Sequence, residues 1–302
     1  MPVPPAGPIV VAPTPLPLRA DDSIDHEKLA RNVEKQCRTA LGGFVVGSAG
    51  GEEFYLSEGE RVESVRTVAQ ANKGRKLVIG GLDNPSTTET VRLAEQVAKA
   101  GADMVRVRIP QTESGGNTGK AVRYFEEVTK RSPVPVIVIH QTWQTGGFAA
   151  SPEEIGQVCS MDNVFAYIFW HNVRYESYVR RFVPDRVKFW TPNGSLLLPG
   201  ALIGADGACC FFANWGPEIA MEVMQLGMAG KFSEAQELQR RILRADFLGM
   251  RHGVAALKAG LNMLGYETTV PRNPTQPLGK NETEELRKAF VEAGLLAPTM
   301  SS

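Results

Sequence analysis

The chain carries no excess charge of either sign. Lysine plus arginine and aspartate plus glutamate number 33 each. No overall field therefore draws it to nucleic acid or anionic lipid, and no basic stripe with interleaved aromatics is present. Cysteine is scarce: Cys37, Cys159, Cys209 and Cys210 are the only four, two adjacent and none in a C-x-x-C spacing. That argues against a disulfide framework or a structural zinc site and fits a reducing, cytoplasmic setting. No apolar stretch approaches the roughly 20 residues of a membrane span, so no membrane partner is expected. The opening stretch, MPVPPAGPIVVAPTPLPLRADD, has no basic leader segment and breaks its apolar run with prolines, which makes a poor secretory signal. What the chain does have is bulk. With 302 residues, 43% of them hydrophobic, it can bury most of its apolar surface in one core.

Short β-rich runs alternate with helical patterns along that length. Strands are predicted at 9–12, 43–47, 76–81, 104–110, 134–140, 164–170, 186–190 and 207–212. Helices follow each, at 24–40, from the Ser57 cap, at 86–100, 118–130, from Ser151-Pro152, and at 174–182, 195–203 and 217–228. Strict alternation implies a parallel sheet, and eight units predict closure into a (β/α)8 TIM barrel. An open doubly wound sheet is the structural alternative, though the first strand lacks its Gly-rich fingerprint. Further helices at 233–248, 252–264 and 282–293 predict a C-terminal helical extension, so residues 1–230 form the barrel and 231–302 the extension packed on it.

In such a barrel, chemistry sits at the C-terminal strand ends. Those ends carry Ser48, Asp83, Arg108, His140, His171, Asn193 and Asn214. The GSAGG turn at 47–51 offers Ser48, Ala49 and Gly50 as an anion nest, or merely as a tight turn. His140 and His171 end neighbouring strands and are the candidate proton-transfer pair, unless each simply caps its strand. With Asp83 they could form a metal site, but no metal and no cofactor is expected. Arg106 and Arg108 alternate with Val105 and Val107, and either phase of that strand is open. Trp170, Trp143, Phe169, Phe211 and Phe212 gather near strand ends as pocket walls or as packing.

These residues add up to a resemblance. GSAGGEEFYLSEGER (47–61) resembles the G-[ST]-x-G-E-x-x-x-L-S-x-x-E-R block of the dihydrodipicolinate synthase and N-acetylneuraminate lyase superfamily. VIGGLDNPSTTETVRLAEQVAKAGADMV, LLLPGALIGADGACCFFANWGPE and VPRNPTQPL resemble further blocks of it, in order. The resemblance implies the same barrel with its extension, homotetramers or homodimers, and 2-oxo acid chemistry through a lysine Schiff base. The departures are at the chemistry. The family lysine ending the sixth strand falls on Ile168, or on Tyr167 with a one-residue gap. The family tyrosine ending the fifth strand falls on Ile139, and its carboxylate-binding arginine on Gln144. An isoleucine cannot form an imine. The expectation is a lyase-type protein that binds a small carboxylic acid through Ser48, Ala49, Gly50, Asp83, Arg108, Trp170 and Asn193. His140 and His171 would move protons without an imine. Two alternatives stand beside it: a catalytically inactive carboxylate binder or partner subunit, and a Schiff-base enzyme with its lysine relocated to Lys188.

Overall fold

A computed structural model of the chain describes residues 7–110, 119–141, 150–169 and 172–298. Eight parallel strands close on themselves in chain order. They are β1 (Ile9–Pro13), β2 (Gly43–Val46), β3 (Leu77–Leu82), β4 (Met104–Arg108), β5 (Val136–Ile139), β6 (Val164–Ile168), β7 (Lys188–Thr191) and β8 (Gly207–Cys209). Pairing of Ile9 with Gly207 and of Val11 with Cys209 seals the cylinder. Between and after the strands come α1 (His26–Gln36), α2 (Glu58–Asn72), α3 (Thr87–Lys99), α4 (Lys120–Arg131), α5 (Pro152–Cys159), α6 (Val173–Val179), α7 (Leu197–Leu202) and α8 (Pro217–Met228). The helices α9 (Phe232–Met263) and α10 (Lys280–Glu292) extend the chain beyond the last βα unit. The fold is a (β/α)8 barrel with a C-terminal helical extension.

The strands read as near-continuous apolar runs because both of their faces are covered. Ile9, Val11, Val45, Leu77, Ile79, Met104, Ile137, Ile139, Ala166, Ile168 and Trp190 form one cluster inside the cylinder. Their alternates, including Val10, Phe44, Val78, Val105, Val107, Val138 and Tyr167, pack outward with the helix layer. Trp190 fills much of the interior, and Gly207 makes room for it: a Cβ there would stand 2.6 Å from the indole.

Local signals place the helix starts. Ser57 and Glu60 form a capping box on α2, and Ser151 and Glu154 form another on α5, where Pro152 takes the first turn. Each satisfies end amides that the helix cannot. The extension departs from expectation in one place. Segments 233–248 and 252–264 are two helical stretches of α9, as expected, but they meet at a kink at Gly253 (φ 56°, ψ −134°) rather than at 249–251. Gly249, the more obvious breaker, stays helical because it is packed under Trp215; a Cβ at that position would lie 2.8 Å from the indole. The interruption falls at Gly253 instead, where no atom crowds a left-handed turn. Among the described residues no helix is long and apolar enough to cross a membrane.

Candidate functional site

A cavity of about 310 Å³ lies over the C-terminal strand ends. Pro13, Ser48, Arg106, Ile139, His140, Asn193 and Cys209 reach it from the strands and the turns after them, while Phe211, Met250, Gly253 and Val254 close it from the short helical turn after β8 and from α9. The kink at Gly253 is thus a cavity wall.

The strongest electrostatic feature beside the cavity comes from β4. Met104, Arg106 and Arg108 share one strand face, and Met104 belongs to the interior cluster, so both guanidinium groups project within the barrel mouth. They meet two buried carboxyls. Arg106 Nη2 bonds Glu53 Oε2 at 3.1 Å, and Arg108 Nη2 bonds Glu53 Oε1 at 2.9 Å. Both arginines also pair with Asp83 Oδ2, Arg106 very closely and Arg108 at 3.3 Å. Arg61 of α2 braces the cluster by donating to the carbonyl oxygens of Gly47, Gly81 and Glu53. Gly81 makes this possible: a Cβ there would run into the Gly47 carbonyl.

The two carboxyls are not equivalent. Burial, and then the hydrogen bond and negative charge of Asp83, push Glu53 up to about 7, against the opposing pull of Arg106 and Arg108. For Asp83, burial opposes ionisation, but Arg106, the Glu53 hydrogen bond and Arg108 outweigh it and hold the carboxyl below its usual range. The two carboxyls titrate as a pair, with Glu53 the one that burial and Asp83 favour in its protonated form.

His140 borders the cavity, but its ring turns away from the barrel axis toward α6. Nδ1 lies 3.0 Å from the Tyr167 hydroxyl and 3.1 Å from Glu176 Oε1, all three side chains being fully buried. The Tyr167 hydroxyl donates its one proton to Glu176 Oε2 at 3.0 Å. Nδ1 is thus placed to donate to an oxygen on either neighbour.

The turn at 47–51 is tighter than an open nest. Gly51 N and Glu53 N donate to the Ser48 carbonyl and Glu52 N to that of Ala49, so three amides are consumed inside the turn. Ser48 and Ala49 line the cavity, with the Ser48 hydroxyl donating to Val45 O at 3.2 Å. Gly50 lies behind them, against Pro13 and Leu257. Asn193 lines the opposite wall. Asn214 is structural, bridging Gln36 to the Pro13 carbonyl. Trp170, His171, Trp143 and Gln144 lie outside the described residues.

All twelve lysines lie within the described residues, and none lines the cavity. Ile168 occupies the inward position at the end of β6, and Tyr167 the outward one. Lys188 opens β7 at the far end of the barrel and pairs with Asp206 at 3.1 Å, away from the mouth. Lys258 on α9 is the one buried lysine. Its Nζ bonds Glu52 Oε2 at 2.7 Å and the Val270 carbonyl at 2.9 Å. Among the described residues no cluster of three or more His, Cys, Asp or Glu side chains is arranged to hold a metal ion.

Sequence reasoning passed over Glu53 and Glu176 altogether and left the phase of Arg106 undecided. One signal was available. Outward strand positions in such a barrel must be apolar to meet the helices, and Val105 and Val107 are apolar, so the two arginines had to face inward and needed acids there.

A closed parallel barrel with a charged mouth over its C-terminal strand ends is a (β/α)8 protein of the kind whose binding sites lie at that face. Comparison with known proteins narrows the class. The chain belongs to the Dihydrodipicolinate synthetase family, whose model matches residues 7–293, and so to the superfamily of dihydrodipicolinate synthases and N-acetylneuraminate lyases. It is 26% identical over 283 residues to the 4-hydroxy-tetrahydrodipicolinate synthase of Archaeoglobus fulgidus, covering 93% of this chain and 96% of that one. It is also 26% identical over 279 residues to the N-acetylneuraminate lyase of Rhizobium meliloti, covering 91% of each. Its fold matches dihydrodipicolinate synthase from Cyanidioschyzon merolae, solved with lysine bound, with a TM-score of 0.88 at 20% identity over 96% of this chain and 99% of that one.

Proposed function

We propose that the chain binds a small carboxylic acid, foremost a 2-oxo acid, in the cavity over the strand ends, and moves protons on it without forming a lysine imine. One observation carries the reading: a buried arginine reaches the cavity and no lysine does. An imine needs a desolvated amine beside the carbonyl carbon. Arg106 offers instead a planar guanidinium for a carboxylate. Ser48, Ala49 and Asn193 would orient the ligand, Gly50 would shape the turn behind them, and Asp83 and Arg108 would hold Arg106 in place from behind. The names of the relatives, one for a dipicolinate and one for a neuraminate, support an acid as ligand.

His140 is the candidate proton-transfer group. A histidine whose Nδ1–H is held by a buried carboxylate presents the tautomer of a general base. His171 as a second proton-transfer group and Trp170 as a ligand contact rest on the sequence alone. A binder without turnover is the second reading, and it is favoured by the engagement of the His140 ring on α6.

The deciding experiment is calorimetric titration with pyruvate and with 4-methyl-2-oxopentanoate, followed by NMR of hydrogen–deuterium exchange at C3 of each acid. Saturable binding with exchange above the uncatalysed rate, slowed in His140→Gln, is expected. Binding without exchange supports the second reading. No binding of either acid contradicts both.

A further inference from the structure

We infer that Arg106 is the carboxylate receptor of this cavity, and that capture of the ligand is coupled to uptake of a proton by the Glu53–Asp83 carboxyl pair behind it. The inference rests on the carboxylate-binding reading above and supplies its electrostatics. Arg106 is 3% exposed, yet it lines the cavity. Its Nη2 is engaged by Glu53 and Asp83, while its Nε has no acceptor. A buried guanidinium N–H without an acceptor is costly, and it signals a missing oxygen. A ligand carboxylate reaching Arg106 from the cavity would supply one.

The charges around Glu53 say what must accompany that contact. Asp83 follows β3, and Arg106 and Arg108 come from β4. Arg61 of α2 faces the Glu53 carbonyl. The neighbouring Glu52 is neutralised by Lys258 of α9. Cys209 of β8 faces Arg106 as a neutral thiol, because burial pushes it up to about 11. With both carboxyls ionised, Glu53 and Asp83 face three cations, Arg106, Arg108 and Arg61, but both carboxylates are held on Arg106 itself. A ligand carboxylate at Arg106 then stands beside two carboxylates already on the same guanidinium, and repels them at close range. A proton on the pair relieves that repulsion. Burial and Asp83 already place Glu53 at about 7, so the proton is accessible near neutral pH.

The sign follows. As pH rises through about 7, Glu53 ionises and competes with the ligand for Arg106, so affinity falls. By linkage, ligand binding raises the proton affinity of the pair to the same extent.

The test is calorimetry of the wild-type chain with 4-methyl-2-oxopentanoate, whose carboxyl stays ionised throughout, in buffers of different ionisation enthalpy. Affinity is expected to fall about tenfold between about pH 6 and about pH 8, with net proton uptake near pH 7. In Glu53→Gln both the uptake and the pH dependence should vanish, and binding at the higher pH should be tighter than in the wild type. An affinity independent of pH in the wild type overturns the coupling while leaving the carboxylate reading intact. So does uptake that persists in Glu53→Gln and disappears in His140→Gln, since the proton then belongs to the imidazole. Absence of binding at every pH overturns both.

Discussion

Lys258→Met is expected to destabilise the folded chain by about 3–5 kcal/mol, because it leaves a carboxylate buried without its counter-charge. Glu52 and Lys258 have side chains only 2% and 1% exposed, and their 2.7 Å ion pair is the tie between the turn after β2 and helix α9. Lys258 also donates to the Val270 carbonyl, and Glu52 accepts from the amide of Arg272. The C-terminal segment around Arg272 is therefore fastened to the same point. Burial lowers the proton affinity of Lys258 against the pull of Glu52, so the pair is held at a desolvation cost rather than for bulk stability. Removing both charges should accordingly restore most of the loss: the double variant Glu52→Gln, Lys258→Met is expected to be clearly more stable than Lys258→Met alone. Denaturant unfolding of the three chains measures this. Equal stability of wild type and Lys258→Met would show the carboxylate to be hydrated instead.

The second large effect is on binding. Arg106→Ala is expected to weaken 4-methyl-2-oxopentanoate about 100-fold, roughly 3 kcal/mol, since it removes the guanidinium that meets the ligand. Arg108→Ala touches the same two carboxyls but does not line the cavity. It should cost comparable stability and weaken binding by less than about fivefold, because its charge acts only through the cluster. Calorimetry on both variants separates a receptor from a brace. Equal losses would mean that the cluster acts only as a diffuse positive field.

The architecture was legible in the sequence because it rests on local, repeated signals. Apolar strand runs followed by helical patterns recur eight times, and serine caps at Ser57, Ser86 and Ser151 mark three of the helix starts. The break in α9 was misplaced because it depends on tertiary packing: the indole of Trp215 presses on Gly249 and keeps it helical, while Gly253 is free to turn. At the site, the residue to which the resemblance assigns the family lysine, Ile168, was readable in the sequence, and it stands in the inward position on β6. The Glu53 contacts were not. Glu53 lies in a short turn after β2, 53 residues from Arg106 and 55 from Arg108, and nothing in GGEEF says which of its two acids turns toward β4 and which toward α9. The Glu176 carboxylate was hidden for the same reason. It looks like an ordinary polar residue of a short helix until Tyr167 and His140 are seen beneath it.

One measurement reaches the centre of the proposal. The native chain is incubated with pyruvate and, separately, with 4-methyl-2-oxopentanoate, reduced with borohydride, and weighed intact by mass spectrometry. The expected mass is unchanged with both acids, although both bind. A gain equal to the reduced adduct of either acid, mapped to Lys258, Lys188 or any other lysine, would contradict it and restore the imine.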